Sequence, residues 1–118
     1  MQVAGVGIFC EHHGYWESYP EQLDGAVLSI ESREISAEQQ ARSRHICSNW
    51  KEILAQCLAY IDACSEDYGL EAKSFIGPGA FIQSGEEWCV YFDTDHAYEA
   101  VVGVEFRGNE PFQLIVGD

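Results

Sequence analysis

The chain has 118 residues, is 47% hydrophobic, and carries a formal charge of −14 from twenty Asp and Glu against six Lys and Arg. Such a composition suits one domain, residues 1–118, with one core, and excludes a disordered chain. The charge argues against partners that need a basic surface: the nucleic acid backbone and anionic membranes.

No apolar run approaches the roughly 20 residues of a membrane span. The N-terminus, "MQVAGVGIFCEHH", lacks the basic and apolar regions of a signal peptide. The chain is therefore expected to be cytosolic and complete from Met1 to Asp118. Its five cysteines, Cys10, Cys47, Cys57, Cys64 and Cys89, are odd in number and irregular in spacing. They form no disulfide framework and no CxxC pair, so neither a zinc ribbon nor a thioredoxin-like motif is present.

In chain order, Val3 to Cys10 reads as a strand punctuated by Gly5 and Gly7. "EHHGY" then supplies a turn, with Gly14 at positive φ. Trp16 and Tyr19 continue as a second short strand ending at Pro20. "DGAVLSIESRE" alternates Ala26, Leu28 and Ile30 with Val27, Ser29 and Glu31, the period of a strand.

One long helix is expected next. Ser36 is its N-cap, with Gln39 three places on as a capping box requires. Ile46, Trp50, Ile53, Leu54, Cys57, Leu58, Ile61 and Cys64 repeat at three- and four-residue steps, a single apolar stripe that Gly69 would end. The stripe puts Cys57 and Cys64 on the buried face and Cys47 near its edge.

Strands are expected to the end. "KSFIGPGAFIQSGEE" reads as two short pieces separated by a turn at Gly77-Pro78-Gly79. "EWCVYFD" sets Trp88, Val90 and Phe92 against Cys89, Tyr91 and Asp93. "EAVVGVEFR" sets Ala100, Val102, Val104 and Phe106 against Val101, Gly103, Glu105 and Arg107. Gly108-Asn109 makes a tight turn into "PFQLIVGD", with Phe112, Leu114 and Val116 on one side. The expected architecture is an α+β two-layer sandwich: one mainly antiparallel sheet with a single long helix packed across one face.

This order of elements, an "ISAEQ…W…IL" helix followed by a meander of the type "EWCVYFDTDHAYEAVVGVEF", resembles a group of small bacterial domains, many of unknown function. Several of those sit beside polymorphic toxins and look like immunity proteins, including those of contact-dependent growth inhibition systems. The resemblance spans Val3 to Val116. It implies a protein that works by binding, and it brings no catalytic motif with it.

Three constellations carry candidate chemistry. In "CEHH", alternation puts Cys10 and His12 on one face and His13 on the other, which leaves zinc short of its four ligands. Cysteine–histidine catalysis would need a pairing among Cys10, Cys89, His12, His45 and His96, yet no local signature marks one. In "DTDHAYE", Asp93, Asp95 and Glu99 form an acidic loop without the spacing of a calcium site. A solvated acidic turn is the plainest reading of this loop; because loops on a rigid sheet often carry binding residues, recognition of a basic partner comes next, ahead of acid–base chemistry.

The sequence thus predicts an immunity-type binder of a basic protein, a toxin domain such as a nuclease, with neither catalytic residues nor a cofactor or metal. The residues expected to meet the partner are Asp93, Asp95, His96, Glu99, Glu86, Glu87, Glu11 and Glu17. A cytosolic interaction module without a toxin partner is the alternative, and a small metal- or Cys/His-dependent protein the third.

Overall fold

The computed structural model describes residues 1–68, 74–95 and 101–117. Strands β3 (Cys10–His12), β4 (Tyr15–Ser18), β5 (Leu28–Glu31), β6 (Phe75–Ile82), β7 (Glu87–Thr94), β8 (Val101–Arg107) and β9 (Glu110–Gly117) form one seven-stranded sheet in sequence order. All neighbours are antiparallel except β5 and β6. That pair is parallel because helices α1 (Ala37–Ser48) and α2 (Trp50–Tyr68) lie between its strands, and a parallel neighbour needs a long crossover. A small hairpin, β1 (Gln2–Val3) with β2 (Gly7–Ile8), precedes the sheet.

The α+β class and the mainly antiparallel sheet agree with the sequence. The single long helix does not. Ser36 caps α1 as predicted, its Oγ accepting from the Gln39 amide at 3.1 Å while the Gln39 side chain accepts from the Ser36 amide at 2.9 Å. The chain then breaks at Asn49, whose φ of −126° and ψ of 22° are not helical. The Asn49 side-chain amide donates to the His45 carbonyl at 2.9 Å and satisfies a carbonyl at the end of α1. The Asn49 carbonyl accepts from Ile53 at 2.9 Å and so starts α2. No glycine or proline marks the break, so the apolar stripe reads straight through it.

The stripe itself is largely right. Ile46, Trp50, Ile53, Cys57 and Ile61 are buried, and Cys47 with them. Leu58 falls off the stripe at 44% exposure, and Cys64 is half-buried rather than buried. The buried face of α1 is instead partly polar. Gln39 donates to the Gln83 carbonyl at 2.9 Å, and Ser43 donates to the Gln39 carbonyl at 2.9 Å, so neither leaves a polar group unpaired. The expected helix stop at Gly69 lies outside the described residues.

Two further corrections concern backbone shape. Val3 to Cys10 is not one strand: Gly5, at φ 81°, turns the chain so that β2 folds back on β1, and Val3, Val6 and Phe9 all reach the core. Gly77-Pro78-Gly79 is not a turn between two strands but a bulge within β6. Three steps from Ile76 to Gly79 oppose two from Asp93 to Tyr91. A bulge tolerates the proline, which has no N–H to give to the ladder. An extra residue also interrupts β9 opposite Glu105 and Phe106, which leaves Leu114 buried, Phe112 half-buried and Val116 37% exposed.

The core lies on one face of the sheet. Leu28, Ile30, Ala80, Ile82, Val90, Val102 and Val104 are fully buried there, with Trp88 stacked on Phe106 at a ring separation of 4.0 Å. Trp50 and Ile53, 4% and 3% exposed, fill it from the helix side.

Candidate functional site

The strand register defines the second face of the sheet residue by residue. One lateral row runs Cys10, Glu17, Ser29, Phe81, Cys89, Glu105 and Gln113, each paired with the next. A neighbouring row runs Gly79, Tyr91, Gly103 and Ile115. Tyr15 pairs with both His12 and Glu31 two residues the other way, and Asp93 lies beyond Tyr91. Helix residues Trp50 and Ile53 fill the other face, and Tyr19 reaches this one, its phenol donating to Glu17 Oε1 at 3.3 Å. Tyr15, Glu31, Asp93, Gln113 and Ile115 are exposed, and Glu17, Phe81, Cys89, Tyr91 and Glu105 are half-buried.

Aromatic and apolar side chains hold the middle of this face and carboxylates surround them. The Tyr91 ring lies directly over Gly79: a Cβ there would stand 2.5 Å from the ring end. Its phenol pKa is raised, first by burial, then by Cys89, Glu17, Tyr19 and Asp93. Next to it, a hollow of about 490 Å³ opens between Tyr15, Ser29, Glu31 and Phe81, with His13 and Gly14 at its rim. Among the described residues no lysine or arginine lines it.

Among the described residues one ion pair forms, His12 Nε2 to Glu17 Oε1 at 3.7 Å, and it uses a histidine. Two arginines are engaged elsewhere. Arg42 donates to the Gly85 carbonyl at 2.9 Å and to Asn109 Oδ1 at 2.8 Å, and lies over the Trp88 ring at 5.2 Å. Arg107 lies over the Phe112 ring at 4.5 Å. The Arg42 cluster closes a second hollow, about 470 Å³, between α1 and the β6–β7 and β8–β9 turns. Its guanidinium already has partners, so this hollow is a clamp holding helix to sheet.

The described members of the predicted contact set do not form one patch. Asp93 sits on the open face near one end of β7, and Asp95 follows it with its carboxylate accepting from the Ser74 amide at 3.1 Å. Glu86 and Glu87 are at the other end of the strand, about 20 Å away at six residues of strand rise. Glu17 belongs to the open face. Glu11, paired with Trp16, points to the opposite side at the sheet edge. His96 and Glu99 lie outside the described residues. Sequence reasoning missed Tyr15, Glu31, Phe81 and Glu105. Their signal was the alternation itself: every residue opposite a core position belongs to this face.

The remaining candidates are also placed. Cys10 and His12 share the open face, and His12 stacks on Tyr15 at 5.2 Å. Among the described residues no group of three histidine, cysteine, aspartate or glutamate side chains comes together as metal ligands would. Burial pushes the thiols of Cys47 and Cys89 up to about 11 and that of Cys57 up to about 12, with a smaller push on Cys57 from Cys89 and on Cys89 from Glu105. A nucleophilic cysteine needs the reverse shift. No described helix is long and apolar enough to cross a membrane.

The fold and this face define an α+β protein with one sheet surface packed and one presented. Comparison with known proteins gives no match to a family model, a curated protein or a solved structure.

Proposed function

We propose that this chain is an immunity-type binding protein that captures a basic protein, a toxin domain such as a nuclease, and neutralises it by covering its working surface. The observation that carries this reading is a charge of −14 and, among the described residues, a single ion pair, beside a sheet face that the helices leave open. Such a charge speeds the docking of a basic partner and repels wrong ones. The carboxylates stand in for nucleic acid charge at the partner's surface, and no catalytic group of this chain is required.

The test is protection. The gene immediately upstream is expressed in cells with and without this chain. Survival only with the chain, and a complex whose association slows as salt rises, are the expected results. The triple change Asp93→Asn, Asp95→Asn, Glu99→Gln should slow association and flatten that salt dependence, with little effect on dissociation. An upstream product that is harmless, or that kills equally in the chain's presence, overturns the reading.

A further inference from the structure

We infer that the open face of the sheet is the docking surface, that its occupant is a basic amphipathic segment of a partner protein, and that the hollow at Tyr15, Ser29, Glu31 and Phe81 receives one arginine or lysine side chain. This rests on the reading above and adds the surface and the mode of contact.

Three features of the face select that occupant. The first is the middle of the face. Tyr91 lies flat over Gly79 beside Phe81 and Cys89, a low apolar platform where an ordinary solvated sheet face would carry polar side chains. Tyrosine offers large contact area with little rotamer entropy to lose, and it is enriched at binding hot spots.

The second is the rim. Glu17 and Glu105 stand on one row four strands apart, about 19 Å at the usual strand spacing, with Glu31 and Asp93 on either side of that row. A segment with apolar residues down its middle and cations on its flanks matches both parts at once. The sign of the charge also decides against a second copy of this chain, because two such faces pressed together would set carboxylate against carboxylate at −14 per chain.

The third is the hollow. A carboxylate, Glu31, stands beside the rings of Tyr15 and Phe81 and the hydroxyl of Ser29, with no lysine or arginine among the described lining residues. Aromatic rings hold the stem of a lysine or arginine and attract its charge, while the carboxylate accepts its hydrogen bonds. Ser29 is buried and Phe81 half-buried, which removes water from that contact and strengthens it.

The probe is a synthetic 15-residue peptide of leucine and arginine patterned as an amphipathic helix, titrated into isotope-labelled protein. An arginine–serine peptide of equal charge and a leucine–glutamate peptide are the controls. Saturable binding of the leucine–arginine peptide should move amide signals of Tyr15, Ser29, Phe81, Cys89 and Tyr91. The serine version should bind about tenfold more weakly and the glutamate version not at all. Glu31→Gln and Phe81→Ala should each weaken the leucine–arginine peptide by about tenfold. Glu52→Gln, on α2, should change it less than about twofold. Glu31 is exposed, so Glu31→Gln keeps the test available if Phe81→Ala folds poorly. Saturable binding that maps to the solvent face of α2 overturns the assigned surface and leaves the basic-partner reading standing. Equal binding of the serine peptide overturns the amphipathic occupant. Absence of saturable binding overturns the inference, while the protection experiment judges the reading beneath it separately.

Discussion

Trp88, Val90 and Phe92 belong to the same strand as Cys89, Tyr91 and Asp93, but the two sets meet different worlds. The first set is at most 2% exposed, sealed under the helices with Trp50 and Ile53. The second is half-buried at Cys89 and Tyr91 and exposed at Asp93. A sheet needs only one buried face to fold, and an antiparallel sheet commonly leaves the other to water. Here the free face is not simply wet. It carries rings and a thiol in the middle and carboxylates around them, a composition that stability of the monomer does not demand. The packed face explains why the chain folds, and the presented face is where its chemistry is available to something else.

The contrast breaks first if truncations on the two faces cost the same. Trp50→Ala should destabilise the protein by about 3–5 kcal/mol, because it removes a large buried side chain and leaves a cavity. Phe81→Ala, half-buried on the open face, should cost about 1 kcal/mol. Denaturant unfolding of both variants measures the difference, and equal losses would mean that the open face is part of the folding core.

Thiol reactivity sharpens the same contrast. In the folded protein at about pH 8, Cys10 is exposed and should alkylate first. Cys57 and Cys89, with pKa values pushed up to about 12 and about 11, should wait for opening or unfolding. Mass spectrometry of peptides over a time course reads the order. Fast labelling of Cys89 would make the middle of the open face looser than described.

A smaller effect tests how the helix layer is held. Asn49→Ala removes the side-chain hydrogen bond to the His45 carbonyl and should cost about 1 kcal/mol. Asn49→Gly should cost a similar amount, since it removes the same bond. A neutral result by thermal melting would show that water serves the carbonyl equally well.

The smallest effect is a pH dependence confined to the packed side. The pKa of His45 is lowered, first by burial and then by Arg42; Glu38 and Glu86 line the same groove. The unfolded chain, titrating near about 6.5, therefore takes up a proton that the folded state resists. This contribution to stability is full above about pH 6.5 and declines as pH falls from there toward the lower folded value. His45→Gln should flatten that part of the decline, and Glu31→Gln on the open face should not. Parallel melting curves for wild type and His45→Gln across that range would remove His45 from the account.

Much of this molecule was legible in the sequence because short-range physics wrote it. The capping box of Ser36 and Gln39 is a contact between residues three apart, and it forms as read. Period-two alternation assigned Trp88, Val90, Phe92, Val102, Val104 and Phe106 to the buried face, because the pleat alternates whatever the strand's neighbours are. The Gly108-Asn109 turn is equally local. Tertiary structure alone decided the rest. The break at Asn49 depends on a side chain reaching the His45 carbonyl, which the spacing of the stripe cannot register. The Gly77-Pro78-Gly79 bulge depends on β7 running alongside, since the same three residues without a partner strand make a turn. The open face depends on register across seven strands: Glu17, Phe81 and Glu105 are scattered through the chain, and pairing alone sets them in one row. Local rules fix which way a side chain points, but which distant side chains stand beside it is settled only when the strands pair.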